Sequence, residues 1–171
     1  MRALTMPAAS EAATFVRLVQ PELPGAYRLA GYLLRDATDA EDATQDALEK
    51  AWQAWPKLRE TERFGAWFDR IVVNVCRDRM RRHRTLRMVD LEAAGQVESA
   101  DTFAAMLEGD RVGSAVARLR PDHRIVIALR FWRDMSLEQV AETLDLPIGT
   151  VKSRLHYALR TLGVELEGND R

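Results

Sequence analysis

Apolar residues recur at intervals of three and four along nearly the whole chain, and no alternating β-branched run bounded by hairpin turns interrupts them. An all-α fold is predicted. A first helix is expected over residues 11–19 and a second over about 25–34. Thr38 and Glu41 have the spacing of a capping box for a third helix that ends near Trp55, just before Pro56. Its inner face is Ala40, Ala43, Ala47, Leu48, Ala51 and Trp55. A long fourth helix is expected over about 62–83. Phe64, Trp67, Phe68, Ile71, Val72, Val75 and Met80 trace its inward stripe, with Arg79 as the one polar exception. Stepping by four and three along the opposite side gives Arg70, Asn74, Arg77, Arg81 and Arg84.

Residues 85–110 break the pattern. Six acids stand there against one base, Arg87, together with Gly95 and Gly109. The periodicity resumes near Arg111. Pro121 suits the first turn of a helix that closes before Met135, and Ser136 with Gln139 forms a second capping box for a short helix over 137–144. "DLPIG" then turns the chain into a last helix over 150–162. Helix, short turn and helix is the unit that seats a reading helix in a DNA major groove. The expected organisation is two small helical domains, 1–84 and 111–171, joined by a largely irregular acidic linker, 85–110.

The chain has 171 residues, enough for one ordinary domain or two small ones. The single cysteine, Cys76, excludes an internal disulfide and a multi-cysteine metal site. No stretch approaches the roughly 18 apolar residues of a membrane span, and Glu11 stands where a signal peptide would place its apolar segment. A cytoplasmic protein without membrane insertion is expected. Three histidines without ligand spacing, no glycine-rich phosphate loop and no nucleophile elbow argue against an enzyme and against a metal or other cofactor.

Charge changes the picture more. Arginine outnumbers lysine 22 to 3, which with abundant alanine points to a GC-rich genome and lowers the weight of any single arginine. The formal net charge of −1 nevertheless hides a segregation. Residues 36–49 hold six acids and no base, whereas residues 70–84 hold six arginines and one acid, Asp78. Two opposed patches suggest two different partners.

On the last helix Val151, Leu155, Ala158, Leu159 and Leu162 face inward. The opposite side carries Ser153, His156, Tyr157 and Arg160, flanked by Thr150, Lys152 and Arg154, with no acid between Gly149 and Gly163. Hydroxyl, imidazole and guanidinium groups meet base edges, while flanking cations and free backbone N–H groups suit phosphates. A solvated basic helix is the plainer alternative, but the capping box and turn ahead of it favour duplex DNA. The arginine stripe of the fourth helix reads equally as a polyanion surface or as a solvated face. Trp67 is assigned to the core rather than to base stacking. Asp42, Gln45, Asp46 and Glu49 face either solvent or a basic protein partner.

Two stretches together resemble a known family. "RDATDAEDATQDALEKAWQAW", followed by "RFGAWFDRIVVNVCRDRMRRH", is similar to region 2 of bacterial RNA polymerase sigma factors, and "LRPDHRIVIALRFWRDMSLEQVAETLDLPIGTVKSRLHYALRTL" is similar to their region 4. The short interval between them resembles the extracytoplasmic-function group. The resemblance implies a dissociable initiation factor that directs core polymerase to promoters and promotes melting. It implies docking of Asp42, Gln45, Asp46, Glu49 and Trp52 on the clamp helices of the largest polymerase subunit, although Trp52 and Trp55 also fit a purely core role. It implies single-stranded minus-ten contacts by Arg70, Asn74, Arg77, Arg81 and Arg82, with Asn74 touching a base. Duplex minus-thirty-five contacts would fall to Thr150, Lys152, Ser153, Arg154, His156, Tyr157 and Arg160. Control by an anti-sigma factor is a further implied partnership. Asp145 departs from the family's usual turn glycine, but aspartate tolerates left-handed geometry. Asp46 stands where glutamate is commoner. A dimeric helix-turn-helix regulator acting without polymerase would leave the acidic helix and the arginine stripe without a role. A protein-interaction bundle would leave the acid-free last helix unexplained.

Overall fold

A computed structural model of the chain describes residues 9–89 and 111–168. Every regular element among them is helical. In the first half, α1 (Ala9–Val19), α2 (Leu23–Leu34), α3 (Ala37–Ala54) and α4 (Phe64–Val89) are joined by short turns, with 3₁₀ turns at Trp55–Lys57 and Thr61–Arg63. The second half contains α5 (Arg111–Arg118), α6 (Pro121–Ile127) continued by a π-helical turn (Ala128–Trp132), α7 (Leu137–Leu144) and α8 (Ile148–Gly168).

Local chemistry accounts for most boundaries. α3 is capped by Asp36, whose Oδ1 accepts the Asp39 N–H at 2.8 Å. The expected Thr38–Glu41 box is therefore displaced two residues upstream, because Asp36 holds the extended backbone an N-cap requires and Thr38 already lies in the first turn. The Ser136–Gln139 box forms as expected, with both reciprocal hydrogen bonds made. Asp145 closes α7 at φ 53°, the left-handed geometry foreseen for it. α2 also ends on a left-handed residue, Arg35, whose N–H donates to the Gly31 carbonyl.

Three elements exceed the sequence pattern. α4 continues to Val89, so the first residues of the expected linker are helical; residues 90–110 lie outside the described residues. α5 was not anticipated as a helix. The π turn widens the end of α6, with the Arg133 N–H reaching back five residues to the Ala128 carbonyl at 3.2 Å.

α2, α3 and α4 pack against one another, with alanines 40, 43, 47 and 51 of α3 fully buried. These small side chains bring α3 close to its neighbours. Phe15, Trp55, Phe64 and Phe68 fill one end, meeting mostly edge-to-face. In the second half α6, α7 and α8 enclose Ile125, Val126, Leu129, Val140, Val151 and Ala158. The halves also touch: α7 packs on α4, and α6 with its π turn packs on α2. Buried apolar residues form one continuous cluster across both.

Candidate nucleic-acid interface

The two patches inferred from charge lie on adjacent helices, and Arg79 joins them. Its Nη2 donates to Asp46 Oδ2 at 2.6 Å, and its Nη1 stands 3.6 Å from Asp39 and 3.9 Å from Asp42. Burial works against the Arg79 charge, but the hydrogen bond and field of Asp46, then Asp39 and Asp42, leave its guanidinium above the ordinary value. This is the reason an arginine interrupts the inward stripe of α4. Asp42, Gln45 and Glu49 remain exposed on one face of α3, and Asp46 is half-buried beside them. Trp52, half-buried, meets Phe15 edge-on at 5.0 Å and contributes to the aromatic end of the core.

On α4 the opposite stripe is displayed as the periodicity requires. Arg70, Asn74, Arg81, Arg82 and Arg84 are exposed and Arg77 is half-buried. Arg81 pairs with Asp78, one turn away. Trp67 is half-buried against Phe64, consistent with its core assignment.

On α8 Lys152, Ser153, His156, Tyr157 and Arg160 are exposed, whereas Thr150 and Arg154 are half-buried. Ser153 Oγ donates to the Thr150 carbonyl at 2.9 Å, and the His156 and Tyr157 rings meet edge-on at 5.6 Å. Arg154 is held by Asp122 of α6, Nη2 to Oδ2 at 3.1 Å. Its guanidinium is therefore held in one orientation by the α6 carboxylate. Beside it, burial, then Arg120 and Arg154, lowers the His123 pKa and favours the neutral imidazole. One expectation fails here: Leu159 is 46% exposed and Leu155 only half-buried. α8 packs through Val151, Ala158 and Leu162, and Leu159 instead borders an apolar groove with Phe131 and Trp132.

Charge and periodicity missed a cluster in which Arg133 joins Asp69 and Glu22. Asp69 is 1% exposed, accepts from Arg133 Nε at 2.7 Å, and has no partner for Oδ1 among the described residues. Burial pushes its carboxyl up to about 6, against the pull of Arg133. For Arg133 burial is overcome: the hydrogen bonds and charges of Asp69 and Glu22 raise its pKa. A faint signal existed, since Asp69 lies three and seven residues before the buried Val72 and Cys76 and so falls on the inward side of α4. Its partners lie 47 and 64 positions away and carry no local mark.

No group of His, Cys, Asp and Glu able to hold a metal occurs among the described residues. No helix among them is long and apolar enough to cross a membrane.

An acidic helix clasped to a basic, asparagine-bearing helix, followed by a capped helix-turn-helix whose exposed last-helix face carries no acid from Gly149 to Gly163, has the build of a helical DNA-binding protein. Comparison with known proteins narrows the class. Residues 18–85 match Sigma-70 region 2 and residues 115–162 match Sigma-70, region 4. The ECF RNA polymerase sigma factor SigL of Mycobacterium tuberculosis is 35% identical over 94% of this chain and 93% of its own length. The RNA polymerase sigma-E factor of Streptomyces antibioticus is 31% identical over 95% of this chain and 90% of its own. Among solved structures, the sigma factor RpoE in complex with the anti-sigma factor NepR from Bartonella quintana superposes with a TM-score of 0.73 at 26% identity, covering 90% of this chain and 97% of that one. CnrH in complex with the cytosolic domain of CnrY gives 0.68 at 27% identity, covering 92% and 90%. The chain belongs to the extracytoplasmic-function sigma factors. It is a transcription initiation factor that binds RNA polymerase core and promoter DNA, and it is not an enzyme.

Proposed function

We propose that the three surfaces divide the work of initiation. Asp42, Gln45, Asp46 and Glu49 of α3, with Trp52 behind them, dock on the clamp helices of the largest polymerase subunit. Arg70, Asn74, Arg77, Arg81 and Arg82 of α4 hold the unpaired minus-ten strand, Asn74 by a base and the arginines by phosphates. Thr150, Lys152, Ser153, Arg154, His156, Tyr157 and Arg160 of α8 read the duplex minus-thirty-five element. Domains 1–84 and 111–171 carry the two DNA contacts and 85–110 tethers them. Melting follows from capture, because binding unpaired bases draws the duplex toward its open form. The protein acts in the cytoplasm, under an anti-sigma factor as the Bartonella quintana relative is bound by NepR.

The observation that carries the minus-ten assignment is the exposure of Asn74 amid arginines on one face of α4. Run-off transcription on genomic DNA with core polymerase, with and without the protein, identifies its promoters. On those promoters Asn74→Ala should retain polymerase binding and duplex recognition but impair opening, read by permanganate reactivity of unpaired thymines. A template already melted across minus ten should restore part of the activity while base discrimination there stays relaxed. Wild-type opening with unchanged base preference would refute the assignment.

A further inference from the structure

Asp39, Asp42 and Asp46 stand at i, i+3 and i+7 of α3, in a single stripe along the edge of the helix that faces α4. The fully buried Ala40, Ala43 and Ala47 bring the two helices close enough for one side chain of α4 to meet all three carboxylates. That side chain is Arg79, whose guanidinium lies 2.6 Å from Asp46, 3.6 Å from Asp39 and 3.9 Å from Asp42. It does not draw them in equally. Asp39, which His83 also approaches at 3.7 Å, is 24% exposed, whereas Asp46 and Asp42 remain 49% and 60% exposed. Of Asp46, Arg79 takes Oδ2 alone.

Stability does not account for an arginine here. Residue 79 lies on the inward stripe of α4, three residues after the buried Cys76, where an apolar side chain would continue the packing. Replacing a buried ion pair by apolar groups of similar volume is often neutral or stabilising. Arg79 moreover buries its Nε with no hydrogen-bond partner among the described residues, which adds to the cost. What an apolar residue would not do is keep the acids in place. Three like charges spread over about 10 Å of helix repel one another, and an unheld aspartate turns to water or to nearby backbone donors. Arg79 offsets the repulsion and fixes Asp46 by a charge-assisted hydrogen bond. Its positive charge also subtracts from the negative field of α3, which weakens the long-range pull on a basic partner.

We propose that Arg79 is a positioning residue for polymerase docking, holding Asp46, with Asp42 beside it, in the orientation that the partner's cations meet. The inference rests on the assignment of the α3 face made above. Arg79 acts through Asp46 rather than by touching the partner. It slows association a little and dissociation more.

Association and dissociation rates of the full-length protein on immobilised core polymerase separate the two effects. At about 0.1 M salt, where charges act over about 10 Å, Arg79→Gln should associate about threefold faster, since a charge opposing the partner is gone. It should also dissociate about fivefold faster, the worth of one side chain held ready at an interface. Arg79→Lys keeps the charge without the planar fork, so it should associate at the wild-type rate and still dissociate faster. Raising the salt to about 0.5 M should erase the difference in association and leave that in dissociation. Partial unfolding lowers the amount bound and accelerates neither rate, so faster association is a reading that a merely structural role does not produce. Should Arg79→Gln fail to fold, Arg79→Lys carries the dissociation arm. Wild-type dissociation in the folded variants would overturn the positioning role, and so would slower association in Arg79→Gln. Glu49→Lys, on the same exposed face, should slow association; unchanged rates there would instead remove the docking assignment on which the inference rests.

Discussion

Replacing Asp69 by asparagine isolates what the buried carboxylate does to stability. Its pKa rises from 3.8 to about 6, chiefly through burial, with Arg133 pulling the other way and Glu22 adding to the rise. A carboxyl whose folded pKa exceeds its unfolded value favours folding below the unfolded value and loses that advantage as pH rises through the folded one. Asp69 thus costs the folded chain about 3 kcal/mol above pH 6 relative to below pH 4, at about 1.36 kcal/mol per unit. Asparagine has the same shape, keeps an oxygen for Arg133 Nε, and does not titrate. Urea unfolding of both proteins from pH 4 to 8 should therefore show the difference, variant minus wild type, moving by about 2.4 kcal/mol in the variant's favour as pH rises, the remainder lying below pH 4. The double difference removes the titration of every other group. A flat difference would refute the reasoning. Drift in the opposite direction would mean that the Arg133 ion pair outweighs burial and holds the carboxyl below its usual range.

Two further predictions concern the contact surfaces. Asp42→Arg, Asp46→Arg should abolish binding to core polymerase while also lowering stability, because Arg79 loses its 2.6 Å hydrogen bond and faces two new cations; unchanged affinity in protein of normal helicity would remove the docking role. Replacing Ser153, His156 and Tyr157 by alanine should change preference among minus-thirty-five sequences by roughly 1–3 kcal/mol per lost base contact. Lys152→Ala and Arg154→Ala should weaken duplex binding evenly and flatten its salt dependence, and Asp122→Ala should reproduce part of the Arg154 effect by releasing that side chain. A triple variant that lost affinity without any change in sequence preference would show that the base-reading face lies elsewhere.

Much of this molecule is decided by interactions a few residues long, and those are legible in sequence. The inward stripe of α4, the Ser136–Gln139 box, the left-handed Asp145 and the exposed faces of α4 and α8 all follow from helical period and local backbone chemistry. Motif resemblance supplied the partners, which periodicity alone left open. Where local signals competed, the reading slipped: Asp36 rather than Thr38 caps α3, and α4 continues past His83 into an acidic stretch that composition had marked as irregular. Leu159 fits the inward period of α8, yet the helix meets its neighbours along a narrower strip and leaves that side chain on a groove.

Other features were set only by tertiary packing, within the first half or between the halves. Arg79 looks like an error in an apolar stripe until α3 brings Asp46 within 2.6 Å. Arg133, Asp69 and Glu22 are three unremarkable charges in sequence, and their cost and their pairing come from exclusion of water between surfaces up to 111 residues apart. The sequence by itself determined which helices form and which faces they show, because helix formation and amphipathicity are short-range. Only the tertiary structure decided which charges are buried together and how the two halves meet, because desolvation and Coulomb energy depend on distances in space that no local pattern encodes.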